Sequence, residues 1–228
     1  LVTVTDYQVL LKNEDWKRLS TVLTDKIDSI AFEFKQPQNI FIEMLNGELD
    51  VNHWKNEFNL KLISISTNYA YMYTYYEKLE MVDIYEKYDR DKIGIHFWFS
   101  YEAESLLTRI FSAIDNIYHI VNMKYNLQIK QELGFRGKVV KALETHNKPL
   151  ADYLSRVRYD LRYKGAEALR NNFTHNHSPL NLTSGVNKTK NKVSFGKGKY
   201  TKNEEVLSNI DEFLLLLKEI VGELKRYI

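Results

Sequence analysis

Arg170, Asn171, His175 and His177 stand within one short stretch, RNNFTHNHSP, running from Arg170 to Pro179. Arginine is a permanent, fork-shaped cation that suits phosphate oxygens, and histidine titrates near neutrality and can take or give a proton. Held together, the two serve phosphodiester chemistry: one neutralises charge on the phosphate while the other moves the proton of an attacking or leaving hydroxyl. Asn171 can orient either group through its amide. In a straight helix His177 shares the face of Arg170, whereas His175 points about 140° away at 100° per residue. Yet Asn171, Asn172, Thr174, Asn176 and Pro179 form a helix-ending stretch. A chain that leaves the helix after Asn172 folds His175 back toward Arg170. We expect His175 to act, with His177 positioning it or touching phosphate; a continuous helix would reverse the two roles.

Such a short spacing recurs by chance, and the chain holds a second instance, Arg90 and His96 in DRDKIGIH. That pair falls in a charged break before a helix, not at the close of one, and serves as an internal control. Other chemistries have less support. GFRGK at 134–138 and GKG at 196–198 lack the spacing of a phosphate-binding loop. His175 and His177 have no acidic residue or third His nearby in sequence to complete a zinc site. Nothing marks a Ser or Thr nucleophile, and neither a cofactor nor a metal is expected.

RNxxxH at Arg170 to His175 resembles the signature of the HEPN superfamily, small all-helical domains in which an Arg, usually followed by a polar residue, precedes a His at the close of a helix. Many members read RNxxxHxY; here His177 stands where the Tyr would be, which separates the chain from that subgroup. Many HEPN proteins are metal-independent endoribonucleases whose two protomers bring their Arg and His together in a shared cleft. Others are inactive binding or dimerisation modules. The resemblance implies an RNA substrate and a homodimer. It further implies His175 as base toward the 2′-hydroxyl, Arg170 holding the phosphorane oxygens, and Asn171 orienting His175 or the phosphate. The second protomer's histidine would protonate the leaving 5′-oxygen, giving a 2′,3′-cyclic phosphate and a 5′-hydroxyl. It also brings in a possible antitoxin or defence-system partner. Two rivals stand beside it: a non-catalytic HEPN-like module that binds RNA or protein, and a structural dimerisation domain in which Arg170 and His175 merely cap a helix.

The chain must position these residues with a packed core, and 228 residues at 44% hydrophobic suffice for one. A net charge of +2 means that any basic surface is local. Cysteine is absent, which excludes disulfides and thiolate metal sites and fits a cytoplasmic protein. The longest apolar runs fall short of a membrane span.

Hydrophobic periodicity predicts an all-α protein. Asn13 caps a helix over about 14–35 with Trp16, Leu19, Leu23, Ile27, Ile30 and Phe34 on one side, and Pro37 stops it. A short piece from Asn39 to Asn46 closes at Gly47. Asp50 then caps a helix over about 51–86 whose seam is Phe58, Leu62, Ile65, Tyr69, Met72, Tyr76 and Leu79. Residues 63–75 also alternate with period two, so a strand competes there. The tyrosines of NYAYMYTYYEKL divide between two faces and serve either packing or base stacking. A central helix over about 94–125 follows, with Ala103, Leu107, Ile110, Ile114, Ile117 and Val121 in line.

Along its polar side run Glu104, Thr108, Ser112, Asp115, His119 and Asn122. Asp115 and His119 can touch at i, i+4 and could face the motif as substrate-binding groups. Helices over about 130–145 and 149–172 come next, the second capped by Asn147 and kinked or split at Gly165. Arg156, Arg158, Arg162 and Lys164 precede the motif, and Arg162 and Lys164 are candidate substrate contacts. A Lys-rich loop or small β-hairpin then precedes a last helix, Glu204 to Tyr227. The expected organisation is an N-terminal helical segment, 1–92, packed on a HEPN-like helical bundle, 93–228.

Overall fold

The apolar residues after Arg90 recur over a broad face of a helix, and that places this helix against most of the others. The computed structural model describes residues 7–33, 44, 47–79, 90–175, 179–180, 186–189, 192–195 and 201–228. Among them run α1 (Asn13–Lys26), α2 (Glu48–Lys78), α3 (Arg90–Lys124), α4 (Phe135–Leu143), α5 (Lys148–Val157), α6 (Leu161–His175) and α7 (Asn203–Leu224). A 3-10 turn, Asp28–Ile30, follows α1, and an antiparallel hairpin of β1 (Val186–Thr189) and β2 (Lys192–Phe195) precedes α7. The protein is an all-α bundle, and the hairpin is its one sheet among the described residues.

The predicted line Ala103, Leu107, Ile110, Ile114, Ile117 and Val121 is buried, and so are Leu106, Phe111 and Ile120 beside it. α2 lies antiparallel along α3: Trp54 stacks on His119 near one end, and Tyr75 on Trp98 near the other. Between them the Asn68 amide donates to Glu102 at 2.5 Å. The seam Phe58, Leu62, Ile65, Tyr69 and Met72 is buried, so helix wins over strand through residues 63–75. Tyr69 and Tyr75 are buried, and each hydroxyl is used: Tyr69 donates to Asp211, and Tyr75 accepts from the Val9 amide. Packing, not a stacking surface, is therefore what these two rings do. One continuous core joins α2 and α3 to α7.

Several boundaries differ from expectation, each for a local reason. α1 ends at Lys26, not near residue 35, because Phe32 finds other partners. The Asn59 side chain accepts from the Phe32 amide and donates to its carbonyl, replacing the bonds a longer helix would make. α2 starts at Glu48, with Gly47 at φ 69° as its N-cap, so Asp50 lies in the first turn and is not the cap. The short piece expected over 39–46 and the end of the helix expected to reach 86 fall outside the described residues, apart from Met44. α4 begins at Phe135, not near 130, because Asn122 holds the loop before it, pairing with both the amide and the carbonyl of Ile129. The helix expected over 149–172 is two, α5 and α6, parted at 158–160 and not at Gly165.

Candidate active site

The helix that carries the motif is anchored at its start by charge and along its length by apolar packing. Asn147 caps α5 through a bond from the Leu150 amide, and Pro149 occupies the first turn. The chain then turns, and the Asp160 carboxylate caps α6 by accepting from the Arg162 amide at 2.8 Å. The Arg162 guanidinium is gripped by Asp160 and, through two bonds of 2.8 and 2.7 Å, by Glu219 of α7. Farther along, Tyr163, Ala166, Leu169 and Phe173 form the buried line of α6. Gly165 faces α7 so closely that a Cβ there would come within 2.8 Å of the Asn209 side-chain oxygen.

The other side of α6 borders an open cleft of about 1080 Å³ enclosed with α3, α4, α5 and the turn before α4. Asp115, Arg136, Lys141, Tyr159, Glu167 and Arg170 are among its lining residues. Arg136 ties its wall together: it donates to Asp115 at 2.6 Å, to the Tyr163 hydroxyl at 2.7 Å and to the Phe111 carbonyl at 3.2 Å. Burial opposes the Arg136 charge, but the bond to Asp115 and the fields of Tyr163 and Asp115 outweigh it and raise its pKa. Burial pushes the Tyr118 hydroxyl up to about 12, so this phenol stays protonated at neutral pH.

Arg170 is held differently. Its guanidinium lies 4.4 Å from the centroid of the Phe111 ring and donates to the Asn171 side chain at 3.1 Å. Phe111 is itself wedged against Tyr163 and Phe213. Among the described residues no carboxylate stands within ion-pair distance of Arg170, so an aromatic platform and a neutral amide orient this cation at the cleft.

The structure brings Arg170, Asn171 and Asp115 to this region and puts His119 on its edge. His119 does not bond Asp115. It is sandwiched between Trp54, at 4.0 Å and nearly parallel, and Phe135, at 4.5 Å. Asp115 is taken by Arg136 instead. Burial lowers the His119 pKa, with the Asp115 charge opposing. Arg162 is engaged by two carboxylates and stands outside the cleft lining, whereas Lys164 is exposed beside Tyr159.

The expected exit from the helix after Asn172 does not occur: α6 continues to His175. Phe173 extends the buried line one more turn, and the Thr174 hydroxyl bonds back to the Arg170 carbonyl at 2.5 Å, so burial outweighs the local helix-breaking tendency. The helical backbone then sets His175 about 140° around the axis from Arg170. His177 lies outside the described residues. Sequence reasoning missed Phe111, Arg136 and Tyr159. A signal for Arg136 was present in GFRGK, whose first glycine adopts φ 80° as the N-cap of α4 and starts the turn that presents the arginine.

Among the described residues no helix is long and apolar enough to cross a membrane. The family model of the Cthe2314-like HEPN domains matches residues 54–228, beginning inside α2. No curated protein and no solved structure matches the chain.

Proposed function

We propose, on the premise that the chain belongs to the Cthe2314-like HEPN family, that it is a metal-independent endoribonuclease acting as a homodimer in the cytoplasm. The observation that carries the reading is the state of Arg170. Arg136 in the cleft and Arg162 outside it are neutralised by carboxylates, while Arg170 lines the cleft on an aromatic support with no carboxylate at ion-pair distance among the described residues. A cation kept this way retains its attraction for a phosphate that arrives from solvent.

In the proposed reaction His175 removes the proton of an RNA 2′-hydroxyl as that oxygen attacks its own 3′-phosphorus. Arg170, oriented by Asn171, balances the charge gathering on the phosphorane oxygens. The bond to the 5′-oxygen breaks, and the second protomer's histidine supplies that oxygen with a proton, leaving a 2′,3′-cyclic phosphate and a 5′-hydroxyl. The helical backbone turns His175 away from the face of Arg170, which supports a composite site: the imidazole that meets a given Arg170 comes from the other copy. DNA, lacking the 2′-hydroxyl, is not a substrate.

The test is cleavage of labelled RNA in EDTA by the wild type, Arg170→Ala and His175→Ala, each shown to be folded and dimeric. Loss in both variants with retention in Arg90→Ala supports the proposal; metal-dependent cleavage or equal loss in Arg90→Ala points to another site. The divergence of Arg170 and His175 within one copy also favours a second reading, a non-catalytic RNA- or protein-binding module, such as the accessory of a defence or toxin system. That reading requires RNA or partner binding that depends on Arg170 without any cleavage.

A further inference from the structure

The cleft that Arg170 lines has a second end. There the exposed Tyr159, at 58% of its full accessibility, carries the Arg158 guanidinium 4.6 Å and the Lys164 ammonium 5.6 Å from its ring centroid. Arg158 also donates to the Tyr159 hydroxyl at 2.6 Å, which fixes the ring. A large aromatic left open to water and flanked by two exposed cations is not part of the core, whose other aromatics in this cleft, Tyr118, Phe135 and Tyr163, are buried. From Leu161, just past Tyr159, to Arg170 the helix axis rises about 14 Å at 1.5 Å per residue.

Between the two ends the cleft is not a basic groove. Its charge is mixed: Glu144 and Glu167 line it beside Lys141, and Arg136 there is already paired with Asp115. A phosphate backbone tracked along such a floor would meet carboxylates, so a duplex is disfavoured. Carboxylates do accept hydrogen bonds from the amino groups of an unpaired base, and the cations at both ends meet the phosphates that flank it. We infer that the Tyr159 end of the cleft is a base-stacking subsite for an unpaired nucleotide of single-stranded RNA, in the same cleft as the phosphate that Arg170 holds but at its other end. Tyr159 provides the platform; Arg158 and Lys164 hold the backbone beside it.

This rests on the RNA-directed reading above, and its test separates the two. A short fluorescein-labelled single-stranded RNA of mixed sequence, with 2′-O-methyl sugars so that it cannot be cut, and a blunt duplex of the same composition and sugars are titrated by anisotropy against the full chain. The single strand should bind more tightly than the duplex. Tyr159→Ala should weaken single-strand binding about 5- to 150-fold, the range for loss of one stacked base, and Tyr159→Phe should stay near wild type. Unchanged affinity in Tyr159→Ala overturns the subsite even if the wild type cleaves RNA. Single-strand binding that depends on Tyr159 in a protein that cuts no RNA upholds the subsite and overturns the nuclease alone. Equal binding of strand and duplex, no binding of either, or a Tyr159→Ala variant that changes oligomeric mass while its RNA affinity holds would each overturn it, the last assigning the ring to a protein contact.

Discussion

Acid should unfold this protein through His96, the histidine of the second Arg/His spacing. Its ring is buried on α3, one nitrogen bonded to Asn203 at the start of α7 and Nε2 without a partner. Burial lowers its pKa from 6.5 to about 4, the bond to Asn203 opposing only in part. The folded state therefore keeps the ring neutral where the unfolded chain takes up a proton. The contribution to stability is full above about pH 6.5, falls as the pH drops toward 4 and levels off below it. At about 1.4 kcal/mol per unit, the loss is about 3 kcal/mol across that window. His119, also lowered by burial, adds in the same direction, while Glu102, raised by burial, works against it. A comparison with His96→Asn, which keeps a polar atom toward Asn203 but cannot titrate, isolates the term. Urea unfolding near neutrality and near pH 4.5 should show the wild type losing most of those about 3 kcal/mol relative to the variant. Parallel pH dependences in the two proteins would refute the reasoning. The same burial makes His96→Ala a destabilising change, so Arg90→Ala is the cleaner control for the motif.

His175→Ala dimers should be inactive while His177→Ala dimers keep part of their cleavage rate; the reverse result, read from initial rates on one RNA, would reassign the base. Arg162→Met should lower the thermal midpoint by the equivalent of about 1 kcal/mol, since its partners are partly exposed, and leave RNA affinity unchanged. Asn59→Ala should cost about 1–3 kcal/mol in urea unfolding, because both backbone groups of Phe32 lose their partner. Gly165→Ala alone should gain less than the helix propensity of about 1 kcal/mol, and the full gain should appear only with Asn209→Ala, which removes the nearby oxygen.

Periodicity made the long helices legible. The seam from Phe58 to Met72 and the line from Ala103 to Val121 are buried as their spacing requires, because a pattern repeated over many turns outweighs any single residue. Boundaries were harder, since they are set by distant partners: Asn59 ends one helix by bonding Phe32, and Asp160, not Gly165, separates two others. At the site, sequence placed Arg170 and Asn171 at the close of a helix. It misjudged where that helix stops, because the weight of one buried ring, Phe173, is visible only once its neighbours are known. Arg162 looked like a free cation since Glu219, its strongest partner, lies far along the chain. Phe111 is core; that its ring would also carry Arg170 could not be read from spacing.

The antiparallel pairing of α2 with α3 bears on the order in which the molecule assembles. The two helices are neighbours in sequence, so their long interface closes at a small entropic cost, whereas α6 meets α7 only after the chain between them has been drawn in. The pair is thus the natural nucleus, and the helix bearing Arg170 docks on a surface already built. Trimming the Ile65 or Ile110 side chain should slow refolding, and trimming Leu169 should mainly speed unfolding. A protease that samples the partly assembled chain would reach the motif long before it reached the seam.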